Sequence, residues 1–121
     1  MKHAWIFLLA PLVLTACESE LPAAGSPSTG EPAAGQQAFL KTCAECHGTS
    51  ARGTDKGPPL IHKIYEPSHH ADIAFVLAAK QGVRQHHWPF GDMPAQPDIT
   101  QDQMRDIIAW VRQEQRKAGI H

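Results

Sequence analysis

The stretch whose reading decides the fold is Cys43-Ala44-Glu45-Cys46-His47. It has the form C-x-x-C-H, the signature of covalent c-type haem attachment. Each spacing has a chemical task. Two thiols add to the two vinyl groups of one haem, so both must leave a single turn a fixed distance apart. The next residue, His47, then brings an imidazole nitrogen to the iron from the proximal side. Two other uses of C-x-x-C compete. A thioredoxin-like redox site wants a strand before the pair and a helix after it. Here a helix-forming stretch comes before, and Gly48-Thr49-Ser50 follows. A structural zinc site wants a second ligand pair at zinc spacing, and the chain holds no second C-x-x-C. The favoured reading predicts one covalent haem c.

Just upstream, Pro32 suits a first helical turn, and Ala33, Ala34, Gln36, Gln37, Ala38, Leu40 and Lys41 are good helix formers. Gly35 costs about 1 kcal/mol against Ala inside a helix, so it predicts close approach by another backbone. Phe39, four residues on, shares that face.

Downstream, residues 48–56 read as loop, followed by Gly57-Pro58-Pro59-Leu60. Consecutive prolines give a stiff extended segment with free carbonyls. A ligating histidine usually gives its other ring proton to a carbonyl. The carbonyl of Pro58 or Pro59 is therefore the candidate partner of His47, with Leu60 and Ile61 on the haem edge. The same residues would equally make a plain rigid turn.

A second helix is predicted to open at Pro67-Ser68, with Ser68 as N-cap and Asp72 near the positive end of the dipole. Ile73, Val76, Leu77 and Lys80 fall at i, i+3, i+4 and i+7, and Gly82 is the stop. The following residues, 82–95, are broken by two prolines and two glycines and read as loop. This loop carries Met93, held extended by Pro94. A thioether is a common partner of histidine on haem iron, and Met93 is the candidate sixth ligand. His86 and His87 are its rivals, since imidazole also ligates haem. His62, His69 and His70 lie between the motif and the second helix, at no specific metal spacing. A last helix is signalled by Thr100 with Gln103 as a capping box and Ile99 with Met104 as a staple. Met104, Ile107, Ile108 and Val111 keep helical spacing. Arg112, Arg116 and Lys117 are predicted near the negative dipole end, with Gly119 as stop.

The 121 residues suffice for one small domain, and the formal net charge of −1 gives no basic surface for nucleic acid. No stretch reaches the roughly 18 apolar residues of a transmembrane helix. Lys2 and His3 precede a short apolar run from Ala4 to Leu14, which reads as an export signal over residues 1–16. Leu14-Thr15-Ala16-Cys17 resembles the lipobox of bacterial lipoproteins. That resemblance implies cleavage before Cys17 and lipid on its thiol and new amine. Plain secretion with a spare thiol is the alternative. With two cysteines on haem and one on lipid, none of the three is left over. Residues 17–30, rich in Pro, Gly, Ser and Ala, read as a lipid-anchored flexible tether with a root-mean-square span of roughly 20 Å.

The order helix, C-x-x-C-H, Pro-rich loop, helix, Met loop, terminal helix resembles a class I cytochrome c domain over residues 31–118. The resemblance implies an all-α fold of about three to four helices around one haem. It implies that the first and last helices cross at Gly35, Phe39 and Trp110, and that Met93 is the second axial ligand. Gly57-Pro58-Pro59-Leu60 matches the family's proximal loop. His86-His87-Trp88 departs from the pattern. A domain this small has a marginal core, so the apoprotein is expected to fold poorly without the macrocycle.

Three functions compete. The favoured one is a membrane-anchored one-electron carrier, not an enzyme, with transient redox-protein partners and a periplasm-facing place on the inner or outer membrane. Without Lys2 of the signal, 11−1=10 basic residues stand against 12 acidic ones, so a broad lysine ring for those partners is not expected. A haem enzyme acting on a small molecule such as peroxide, and a haem or metal sensor or binding module, are the rivals. Donor, acceptor and oligomeric state have no signature in the sequence.

Overall fold

The computed structural model describes residues 30–121. The expected signal peptide, Cys17 and all of the tether but Gly30 lie outside the described residues.

Among the described residues are four α-helices: α1 (Pro32–Thr42), α2 (Ala44–His47), α3 (Asp72–Gln81) and α4 (Gln101–Lys117), with a 3-10 turn at Lys63–Tyr65. The only extended pairing there is an isolated antiparallel bridge between Val83 and Met93. The expected all-α class is what the chain adopts.

The frame is α1 against α4. Pro32 starts α1, where a missing N–H costs nothing. The capping box starts α4: Gln103 N–H donates to the Thr100 hydroxyl at 3.2 Å and Thr100 N–H to the Gln103 side chain at 3.0 Å. A Cβ on Gly35 would overlap the Asp106 carbonyl of α4, so only glycine admits this approach. One turn on, Phe39 meets Trp110 with ring centroids 4.7 Å apart and planes tilted by 47°. Phe39 and Val111 are fully buried, and Ile107, Ile108 and Met104 complete the core around them. Packing extends slightly past the expected 31–118. Gly30 seats on the Arg105 carbonyl, and Ile120 packs on the core with its N–H on the Gln115 carbonyl.

Three expectations need correction. The second helix begins at Asp72 with Ala71 as N-cap, four residues after Ser68. The stretch between is a turn in which the N–H groups of His69 and His70 both donate to the Glu66 carbonyl. The expected stripe on α3 is also out of phase. Phe75 and Ala79 are buried, whereas Ile73 is 61% exposed and Leu77 44%. From Ile73 to Ala79 the helix is apolar all round, so periodicity alone does not choose its inward face.

The third correction is Arg112, which does not cap a dipole at the surface. It is buried, 4.8 Å over the Phe75 ring. Its guanidinium donates to the carbonyls of Tyr65 and His70, to Asp72 and to Gln115. Gln115, also buried, donates to the Leu60 and Tyr65 carbonyls at 2.9 Å. Buried carbonyls must be paired. These two side chains of α4 therefore fix the irregular segment 60–72 that leads from the proximal loop into α3.

Candidate functional site

α1 ends at Cys43, whose carbonyl accepts from Cys46 at 3.2 Å and His47 at 3.0 Å. The four-residue α2 that results, with Cys43 as its N-cap, puts both cysteines and the histidine on one turn. Both cysteines are free thiols. Burial, aided by Cys46, pushes the Cys43 thiol up to about 11. A redox-exchange pair works through a depressed thiol, and burial shifts Cys43 the other way. Cys43, Cys46 and His47 do not form a metal-holding cluster; the one set of three such groups among the described residues is His69, His70 and His87.

His47 is buried, and its Nδ1 lies 2.9 Å from the Pro58 carbonyl. Of the two prolines considered, Pro58 is the partner. A carbonyl accepts only, so Nδ1 carries the proton and Nε2 keeps its lone pair. Burial lowers the His47 pKa, against the opposing pull of the Pro58 carbonyl, and favours the neutral, ligating form. The proximal loop is folded onto the motif by short bonds. The Thr54 hydroxyl donates to the Cys46 carbonyl at 2.6 Å, and Gly53 N–H to the His47 carbonyl at 2.8 Å.

His47 and Cys43 open onto a cavity of about 370 Å³. Phe39, Met104 and Ile107 form its floor, and Ala74, Leu77 and Ala78 of α3 one wall. Pro58 and Leu60 lie on the proximal side; Val83, Trp88, Phe90 and Met93 come from the loop after α3. Leu77 of the expected stripe thus faces the cavity. Cys46 and Pro59 are not among the lining residues: Cys46 is half-buried, and the Pro59 nitrogen is turned towards Gly53.

Met93 is fixed from both sides. Its N–H and carbonyl bond to Val83 at 2.8 and 2.9 Å, and three residues on Gln96 N–H donates to the Ala79 carbonyl at 2.7 Å. Gly82, at φ 75°, makes the closure feasible, because a Cβ there would lie 2.6 Å from the Met93 carbonyl. His86 and His87 line the same cavity but are exposed. His86 Nδ1 lies 3.0 Å from the Arg84 carbonyl, and His87 faces His69 with 3.4 Å between their Nε2 atoms.

Two lining residues carried no sequence signal: Tyr65 and, as more than bulk, Trp88. The Trp88 indole turns towards the Tyr65 phenol without reaching hydrogen-bond geometry, so its buried Nε1 has no partner in the protein. Burial raises the Tyr65 pKa, the indole opposing it, and keeps the phenol a donor. A buried N–H without an acceptor is costly. The site fits a flat apolar macrocycle with acidic edge groups: apolar walls, two thiols on one turn, an imidazole with Nε2 free, and an unpaired donor at the rim.

The profile of the cytochrome c family matches residues 32–115. Among solved structures, cytochrome cL of the marine methylotrophic bacterium Methylophaga aminisulfidivorans is similar at 30% identity and a TM-score of 0.52, over 67% of this chain. The chain spans about half, 51%, of that protein. Among curated proteins no match is found. With the motif, the closely packed terminal helices and the apolar cavity beside them, these similarities place the chain in the cytochrome c family, whose covalently held c-type haem the Cys43/Cys46 pair fits.

Proposed function

We propose that the chain is a one-electron carrier with His47 and Met93 on the two axial positions, tethered to the outside of a bacterial membrane through lipid on Cys17. The observation that carries the ligand assignment is the double anchoring of Met93, by Val83 on one side and by the Gln96–Ala79 bond on the other. When bound, haem supplies iron that changes oxidation state by one electron, and a His/Met pair sets its potential towards the high end.

The chain's own residues keep that site stable through the change. Cys43 and Cys46 hold the macrocycle covalently, so it stays through loss of any axial bond. Pro58 holds the His47 ring in one tautomer and orientation. Apolar side chains of α1, α3 and α4 exclude water. With His47 and Met93 as ligands, the protein would leave no open position for a substrate, which favours the carrier over the enzyme. The tether and lipid would confine the domain near redox partners in the periplasm, and such contacts are small and transient. The test is extraction and titration: acidified acetone should leave the haem on the chain, and the holoprotein should titrate reversibly with one electron. Haem that leaves freely, or rapid binding of carbon monoxide or peroxide by untreated protein, would contradict the reading.

A further inference from the structure

Four histidines that the haem site does not need come together beside its mouth. His69 and His70 precede α3, and His86 and His87 follow it. Ligand nitrogens of His69, His70 and His87 all lie within 4.8 Å of one another. The Nε2 atoms of His69 and His87 are 3.4 Å apart. Zinc–nitrogen bonds of 2.0–2.1 Å at the tetrahedral angle put ligand nitrogens about 3.3–3.4 Å apart. His70 is also pre-set as a ligand, with Nδ1 2.7 Å from the Ile64 carbonyl and Nε2 left with the lone pair. His86 covers the set, its ring 4.2 Å from that of His87 and 5.9 Å from that of His70.

We propose that His69, His70 and His87 bind a single zinc-class divalent transition ion, with a fourth position open to water or His86. An all-imidazole set selects ions of this class over calcium and magnesium, which take oxygen ligands. The ion would join the turn before α3 to the loop that carries Met93, on opposite ends of one helix. His70 and His87 line the haem cavity and His69 does not. The site is therefore a clasp at the cavity mouth, chemically distinct from the haem iron.

The experiment is a calorimetric titration of chelator-stripped holoprotein with zinc chloride in a non-coordinating buffer. One equivalent should bind. His69→Gln should weaken binding by more than the 10–100-fold that loss of a mere orienting partner costs, and His121→Gln should leave it unchanged. Both histidines are exposed, so neither change threatens the fold. Absence of saturable one-equivalent binding, or binding that survives in the His69→Gln/His87→Gln protein, overturns the proposal. The visible spectrum of zinc-free His87→Gln keeps the two readings apart. A low-spin iron that turns high-spin there refutes Met93 ligation, whereas the zinc isotherm of His69→Gln tests the clasp alone.

Discussion

Gly35 of α1 lies against the Asp106 carbonyl of α4 so closely that no Cβ fits between them. The glycine sets the distance between the helices, and that distance lets Phe39 reach Trp110 one turn later. Gly35→Ala gains helix propensity worth about 1 kcal/mol, but must push two backbones apart at a cost of roughly 1–3 kcal/mol or more. The net effect should be a lower melting temperature of the holoprotein. Thermal unfolding followed by far-UV circular dichroism checks this, and an unchanged or higher midpoint would show that the contact is not limiting.

Arg112 should matter for internal hydrogen bonding more than for surface charge. Arg112→Met keeps much of the stem that covers Phe75 but strips donors from the His70 carbonyl and from Gln115 Oε1, while the Tyr65 carbonyl keeps Gln115. Each buried acceptor left unpaired costs about 1–3 kcal/mol. The Asp72 pair adds little, because Asp72 is 65% exposed. Chemical denaturation should show a loss of a few kcal/mol, with hydrogen exchange rising first across residues 60–72.

The phase of α3 gives a paired test. Ile73→Gln, at a position 61% exposed, should change stability by less than about 0.5 kcal/mol. Ala79→Gln, at a position 7% exposed, should overpack the core and destabilise by roughly 1–3 kcal/mol. Equal effects would return the helix to the phase its stripe suggested.

The proposed anchoring turns on Cys17. In a bacterial host, Cys17→Ser should move the protein from the membrane to the soluble fraction, and wild type should carry the added mass of lipid. Soluble, unmodified wild type would leave export without an anchor.

The fold was legible in the sequence wherever one residue type has one use. C-x-x-C-H, the Thr100/Gln103 box and Gly35 inside a helix each name a local geometry. α3 was legible as a helix but not in phase, because its apolar residues surround it. Arg112 looked like a terminal cation, since nothing in one sequence shows that carbonyls forty residues upstream lack donors. The His69–His87 approach was hidden for the same reason: 18 residues and a whole helix separate the two rings.

Met93 ligation is the central claim, and one redox titration with spectra on wild type, Met93→Ala, Met93→His and His86→Ala/His87→Ala tests it. Thioether favours ferrous iron and imidazole ferric. Met93→His should therefore stay low-spin while its potential falls by on the order of 100 mV or more, a fraction of the roughly 0.8 V that axial ligands span. Met93→Ala should open the iron to cyanide or carbon monoxide while the thioethers of Cys43 and Cys46 keep the haem in place. The double histidine variant should resemble wild type. A Met93→Ala protein with unchanged potential and low-spin spectrum, beside a high-spin double histidine variant, would contradict the account and make the iron bis-histidine.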